Sequence, residues 1–238
     1  MKNRIRKQLR KYSKMKEFFR NFIDHPKMPK RLILCFISVC IMGFCVYWLD
    51  RLAWGTDPCS TTTLAISAKV GLSLGNFQAL FNLVLFGIVL WKDKKQIGFG
   101  TLFNMFLVGY AYNFMAFCMN KLGVDYHFPK IQFGAGFVLG DFLWNLSFCV
   151  ILLAIFVFFA SIYMSVELGT APYDALSVII ADSQKKLSFR TIRIMWDVAF
   201  TIIGFLFGGT VGVVTVIMSL TIGPMVAFVG KHIKKFLN

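Results

Sequence analysis

Acidic side chains lie within apolar stretches of this sequence, where ionisable groups are costly and commonly functional. Asp174 closely follows a Gly-Thr-Ala-Pro sequence at 169–172, and Asp197 lies in the apolar run RIMWDVAFTII. A carboxylate in such a place can bind a cation, carry a proton or contact a polar substrate. Each acid also has a structural alternative. Asp174 could cap the helix that begins at 172. Asp197 could make an interhelical hydrogen bond or pair with Arg193 one turn earlier.

A second polar group follows Gly-Thr-Asp-Pro at 55–58 and consists of Asp57, Ser60 and the hydroxyls of 61–63. Hydroxyls and freed backbone groups at a helix start suit a small polar solute. The positive end of the helix favours a carboxylate or another anion. The alternative is that these hydroxyls bind carbonyl groups of their own helix.

The two polar groups belong to an internal repeat, because the motif at 55–58 returns at 169–172. Asn82 pairs with Asp197, and Ser73 pairs with Ser188. A duplicated half in a membrane protein commonly builds one site between the two copies. The predicted substrate- or ion-binding residues are Asp57, Thr61, Thr62, Thr63, Asn82, Thr170, Tyr173, Asp174 and Asp197, and the predicted structural breaks are Gly55, Pro58, Gly169 and Pro172.

The composition excludes an ordinary soluble domain. The 238 residues are 57% hydrophobic and 16% charged, with a mean hydropathy of +0.67. The net charge is +15, and residues 1–31 hold 12 of the 26 Lys and Arg side chains. In a membrane protein such a segment marks the cytoplasmic side, and its amphipathic pattern suits anionic lipid. Nucleic acid is therefore not an expected partner.

Six apolar segments approach the roughly 20 residues that cross a bilayer. They are 31–50, 75–91, 98–120, 142–166, 189–207 and 211–230. Two shorter segments, 57–73 and 171–184, each begin at a Gly-Thr-x-Pro break, and such backbone persists at membrane depth only when protein covers it or water reaches it. Nine glycines are interpreted mainly as close helix contacts: Gly87, Gly98, Gly100, Gly109, Gly204, Gly208, Gly209, Gly212 and Gly223.

The basic loops change places between the copies, which is expected if three spans per copy leave the halves oppositely oriented. With six spans, 22 of the 26 basic residues and both termini are cytoplasmic. The predicted fold is an all-α polytopic membrane protein with six transmembrane helices as two inverted repeats, each with a short broken or re-entrant helix. The predicted parts are a basic cytoplasmic segment (1–30), repeat one (31–120), an extracytoplasmic connector (121–141), repeat two (142–230) and a basic cytoplasmic tail (231–238).

The sequence LGTAPYDAL at 168–176 resembles the signature of the YczE/YyaS/YitT family of bacterial integral membrane proteins. In that family a Gly-x-x-Pro-aromatic-Asp segment follows a spanning helix, although many relatives carry Trp where this chain has Tyr173. The glycine-rich stretch from 208 to 224 is also similar, and the resemblance covers 30–232. It implies a multi-span protein of the bacterial plasma (inner) membrane, described as a permease or linked to secondary-metabolite production.

Enzyme signatures are absent from the sequence, and the six cysteines lack metal-ligand spacing. We therefore expect no enzyme activity, cofactor or metal site. The predicted function is a secondary transporter or channel for a small polar solute, with proton or sodium coupling as one form of it. The alternative is a membrane scaffold or regulator that recruits a cytoplasmic partner enzyme through the basic N-terminus. Whether the chain forms a homo-oligomer is open.

Overall fold

The computed structural model describes residues 27–93, 96–124, 126–130, 138–184 and 186–237. The predicted amphipathic segment at the N-terminus and much of the predicted connector lie outside these residues. The described residues form eight α-helices: α1 (Met28–Leu52), α2 (Pro58–Val70), α3 (Leu74–Lys92), α4 (Phe99–Lys121), α5 (Leu139–Ser165), α6 (Pro172–Ser183), α7 (Phe189–Leu206) and α8 (Val213–Leu237). The all-helical prediction is therefore confirmed for this part of the chain.

Five of the described helices are long and apolar enough to cross a membrane. They are α1, α3, α4, α5 and the segment Val213–Ile233 of α8. Large apolar side chains such as Val84, Phe205 and Phe228 are exposed, as expected for surfaces that face lipid. The predicted span at 189–207 corresponds to α7, which has 18 residues and contains Arg190, Arg193 and Asp197. These charges leave α7 outside the set of five.

Side-chain caps fix the starts of three helices. The carboxylate of Asp57 accepts the backbone N–H of Ser60 at 3.0 Å and begins α2. The hydroxyl of Ser73 accepts the N–H of Asn76 at 3.4 Å at the start of α3, and the hydroxyl of Ser188 begins α7 in the same way. Such caps satisfy donors that a helix leaves free. The two serines are the pair that the repeat predicts.

The two breaks share one backbone conformation. Gly55 has φ +99° and Gly169 has φ +97°, a region that glycine enters without steric cost. Each break is bonded to the start of a long helix in the other half. The Trp54 carbonyl accepts the N–H of Val214 at 3.1 Å, and the Leu168 carbonyl accepts the N–H of Gly100 at 2.7 Å. The donors lie 114 residues apart, and so do the acceptors.

Helix packing follows the same pairing. Within the first half, α4 packs on α1 and on α3, and α2 packs on α3. The second half repeats this pattern, because α8 packs on α5 and on α7, and α6 packs on α7. Between the halves, α2 packs on α7, α3 packs on α6, and α1 packs on α5. Arg31 donates to the Val166 carbonyl at 2.8 Å, and the Trp48 and Phe148 rings lie 6.0 Å apart. The start of α1 therefore meets the end of α5, and these two helices run antiparallel.

Two hydrophobic cores result from this packing. The larger core joins α1, α4, α5 and α8, with Val39, Val46 and Phe156 among its buried members. The smaller core joins α3, α6 and α7 around residues such as Val89 and Phe200. The site residues predicted in repeat two belong to the elements around the smaller core.

The glycine prediction is partly wrong. A Cβ at Gly98 would meet the backbone of Leu168, and a Cβ at Gly212 would meet the backbone of Trp54. Gly100, Gly109, Gly204 and Gly209 also face close neighbours, whereas Gly87, Gly208 and Gly223 have nothing within 4 Å. Those three glycines do not mark helix contacts, because the surfaces beside them carry no packed element.

We expect Gly98→Ala and Gly212→Ala each to lower the free energy of unfolding by about 1–3 kcal/mol. The added methyl group at either position would meet backbone atoms, which cannot rotate away. Thermal unfolding of the purified protein in detergent measures the effect. The matched control is Gly87→Ala, which should be neutral or stabilising by about 0.5–1 kcal/mol since the site is an open helix surface. Equal unfolding temperatures for all three variants would contradict the close contacts of Gly98 with Leu168 and of Gly212 with Trp54.

Candidate functional site

The starts of α2 and α6 lie beside each other although they are far apart in the sequence. Cys59 in the first turn of α2 packs against the core that contains Tyr173 and Ala175, in the first turn of α6. Asp57 is also within electrostatic range of Asp174 and Arg193. The fold therefore brings the first turn of α2, which follows the first break, near the first turn of α6, which follows the second.

Arg193 joins two of the predicted carboxylates. Its Nη1 donates to Asp174 Oδ1, and its Nε donates to Asp197 Oδ2 at 3.2 Å. The hydroxyl of Tyr173 donates to the other oxygen of Asp197 at 2.7 Å. The Asp197 side chain is 1% exposed, whereas those of Arg193 and Asp174 are 19% and 23% exposed. A carboxylate buried this deeply needs both its ion pair and its hydrogen bonds.

Aromatic rings form one wall of this cluster. The Phe200 ring lies 4.8 Å from that of Tyr173 and 5.0 Å from that of Trp196, measured between centroids. Phe81 of α3 contributes from the other half, 5.9 Å from Phe200. The guanidinium carbon of Arg193 lies 5.2 Å from the Tyr173 centroid, within cation–π range. The indole N–H of Trp196 is buried and has no hydrogen-bond partner among the described residues.

The corresponding positions of the first half are neutral. In the internal repeat, Asn82 is the equivalent of Asp197, and Gln78 is the equivalent of Arg193. Ser60 is the repeat equivalent of Asp174. All three neutral side chains are at most 5% exposed. The two halves thus contribute polar groups to the interior at matching positions, but only the second half carries the charges.

The predicted hydroxyls separate into two groups. Thr62 donates to the Pro58 carbonyl and lies 2.5 Å from the Phe200 carbonyl, and Thr63 lies 3.0 Å from the Cys59 carbonyl. These two hydroxyls bind helix carbonyls, as the alternative interpretation expects. Thr61 instead lies 2.8 Å from the hydroxyl of Thr56, beside the break. Thr170 contacts Gln96 through its N–H at 3.0 Å and does not join the charged cluster.

The structure distinguishes between the alternatives for the two acids. Pairing of Asp197 with Arg193 is confirmed. Capping by Asp174 is wrong, because Ala171 is the N-cap of α6 and no side chain bonds there. The sequence indicated Arg193 only as a partner of Asp197, and its contact with Asp174 was not predicted. Its four-residue spacing from Asp197 was the available signal. Gln78 was also missed, although the repeat offset marks it.

Two carboxylates around one guanidinium leave an excess of one negative charge when all three groups are ionised. A cationic solute is attracted to such a cluster, and a proton on either carboxylate removes one ionic contact of Arg193. An anionic solute can replace a carboxylate on the guanidinium, which presents several donors in one plane. The arrangement suits reversible binding and exchange of contacts.

Comparison with known proteins gives a family without an assigned activity. The model of DUF6198, described as a family of unknown function, matches residues 29–231. An uncharacterised protein of Haemophilus influenzae is 26% identical over 175 residues, which cover 73% of this chain and 71% of that protein. The uncharacterised protein YyaS of Bacillus subtilis is 26% identical over 200 residues, 81% of this chain and 88% of YyaS. The YyaS part of the predicted resemblance is therefore supported. No solved structure matches the chain.

We expect Arg193→Gln to destabilise the protein by about 3 kcal/mol, the lower end for a broken buried ion pair because the guanidinium is partly exposed. The loss arises because Asp197 stays buried without its cation. Unfolding in denaturant measures it, with Arg190→Gln, an exposed arginine three residues earlier, as the matched control. The double variant Arg193→Gln/Asp197→Asn should recover about 1 kcal/mol or more. Additive single losses would show that the two groups do not interact.

Proposed function

We propose that this chain, which belongs to DUF6198, a family of unknown function, is a secondary transporter or channel for a small polar solute. The observation that carries the proposal is the network of Asp174, Arg193 and Asp197, which joins the short helix α6 to α7. Buried charges in a membrane protein are costly and generally mark a pathway for a substrate or ion. Binding at such a broken-helix junction is the arrangement used by many transporters.

The proposal includes an inverted repeat with six membrane crossings. It is supported by the antiparallel packing of the equivalent helices α1 and α5, and by the paired hydrogen bonds at the two breaks. In this arrangement α7 is the sixth crossing. Its charged residues 193 and 197 face α6 rather than lipid. The short helices α2 and α6 then return to the side from which the chain entered.

The location of the basic residues completes the proposed topology. With six crossings, the loop at 92–95, the loop at 184–188 and both termini lie on one side. Basic residues resist translocation, so this side is the cytoplasmic face of the bacterial plasma membrane. The segment 121–141 then lies on the opposite side.

The polar interior supplies the binding groups of the proposed site. The second half contributes Tyr173, Asp174 and Asp197, and the first half contributes the neighbouring Asp57 and the buried Asn82. Ionic contacts of Arg193 are broken and remade as a solute or proton enters, which links the charge state of the site to its occupation. The ion pairs with Arg193 all lie in the second half, so the two halves have different functions in binding.

Uptake into proteoliposomes tests the proposal. A panel of amino acids, organic acids, amines and sugars should include at least one solute that the wild-type protein carries. Asp174→Asn and Asp197→Asn should each lower its initial uptake rate about tenfold or more, which corresponds to about 1.4 kcal/mol. The matched control is Asp182→Asn, since Asp182 lies in the same short helix as Asp174 but is exposed.

Two results would argue against this function. Unchanged uptake in both site variants would show that the charged cluster is not the binding site. A chain that carries no solute of the panel, but loses a bound cytoplasmic enzyme when residues 1–25 are deleted, would favour the scaffold. The transporter should retain most of its uptake after that deletion, because the charged cluster lies in α6 and α7.

Cysteine labelling tests the proposed topology. In a variant without the six native cysteines, Asp93→Cys should be protected from a membrane-impermeant maleimide in intact cells. Leu122→Cys, in the loop predicted to lie outside, should react. Both cysteines should react once the cells are broken. Reaction of Asp93→Cys in intact cells would mean that the short helices cross the membrane and the halves run parallel.

A further inference from the structure

A small cavity lies beside the first break, away from the charged cluster. Its volume is about 10 Å³, the lower limit for one water molecule or an ion of similar size. Its walls come from both halves, and four of the six lining residues have polar side chains. The walls consist of Asp50, Gly55, Thr56, Thr61, Leu64 and Thr210.

Every polar side chain in these walls carries oxygen atoms and no nitrogen. Asp50 Oδ2 accepts the hydroxyl of Tyr112 at 2.7 Å, so the carboxylate is held in one orientation. The hydroxyls of Thr56 and Thr61 lie 2.8 Å apart. The guanidinium of Arg51 lies 5.5 Å from the Tyr47 centroid and is also within electrostatic range of Asp50. The cavity therefore joins one anchored carboxylate to several hydroxyl groups.

A buried hydroxyl beside the cavity lacks a partner. Thr215 is fully buried, its Oγ1 has no hydrogen-bond partner among the described residues, and it lies directly against Gly55. Leaving a buried hydroxyl unpaired is costly, and such a group in a native protein needs an explanation. Thr215 does not itself line the cavity, but it contacts Gly55, which does.

The equivalent hydroxyl at the second break is satisfied by the protein. Thr101 accepts the N–H of Gly98 at 3.0 Å and donates to the Gln96 carbonyl at 3.2 Å. Gln96 occupies the repeat position of Thr210, and Met164 occupies that of Asp50. A carboxylate and an unpaired hydroxyl thus occur together at one break only. This difference points to a ligand at the first break.

We infer that this cavity binds a sodium ion through the Asp50 carboxylate and the hydroxyls of Thr56, Thr61 and Thr210. Hard cations prefer oxygen ligands, and a single carboxylate matches a single positive charge. Unwound backbone beside a half-helix is a common place for sodium in transporters. The inference deepens the proposed function, since it names the coupling ion and places it in a cavity separate from the charged cluster.

Ion-dependent stability of the purified full-length protein tests this inference without any solute. The unfolding temperature should rise with sodium chloride and saturate, relative to choline chloride at equal ionic strength, because an ion that binds only the folded state stabilises it. Potassium should have a much smaller effect in a cavity of this size. Equilibrium binding of radioactive sodium provides a second readout.

Two variants, each with a matched control, locate the ion. Asp50→Asn preserves the acceptor for Tyr112 and should abolish the sodium effect, whereas Asp182→Asn should leave it unchanged. Thr215→Val should raise the half-saturating sodium concentration about tenfold if the free hydroxyl contacts the ion. Thr101→Val, the repeat equivalent, should lower the basal stability but keep the sodium response.

Several outcomes would overturn the inference. Equal unfolding temperatures in sodium and choline would mean that the cavity holds water only. An equal response to potassium, or a full response in Asp50→Asn, would reject the sodium assignment. Solute uptake that needs no sodium would reject the inference and leave the transport proposal intact. Sodium binding without uptake of any solute would support the ion site and reject the transport proposal.

Discussion

Two backbone hydrogen bonds, from Val214 to the Trp54 carbonyl and from Gly100 to the Leu168 carbonyl, fix the position of both breaks. Polar backbone outside a helix cannot face lipid, because each unpaired group there costs several kcal/mol. Each half of this chain supplies the partner that the other half needs. The charged cluster itself is built within the second half, by α6 and α7. Neither half could satisfy its own break in this arrangement.

The repeat explains where the interior groups lie, and its divergence explains their chemistry. At the charged cluster the second half has Asp174, Arg193 and Asp197, while the first half has neutral side chains at the paired positions. At the cavity the situation is reversed, because the carboxylate of Asp50 stands where the second half has Met164. Each half therefore kept the shared framework and acquired its own acidic group. Two distinct polar places in one pseudo-symmetric framework are the result.

The sequence predicted the framework well because hydrophobic length and break motifs act locally. The six long segments and two short ones correspond closely to the eight described helices, and the equivalent serines do begin α3 and α7. The charged cluster was less predictable. The spacing of Arg193 from Asp197 predicts their pairing, but no local pattern reveals the contact of Arg193 with Asp174, 19 residues away. The cavity at Asp50 was missed entirely, since its walls come from residues whose proximity depends on the packing of both halves.

The packing also limits how the proposed transporter can open. The larger core joins α1 and α4 of the first half to α5 and α8 of the second, and the short helices pack on α7 and α3 of the opposite half. A motion that separated the halves would break both cores and expose the breaks. A motion of the group α2, α3, α6 and α7 against the group α1, α4, α5 and α8 would preserve most contacts within each group. The two groups contact each other mainly where α3 meets α4 and where α7 meets α8. Alternating access in this fold should therefore occur between groups that each contain helices from both halves, rather than between the halves themselves.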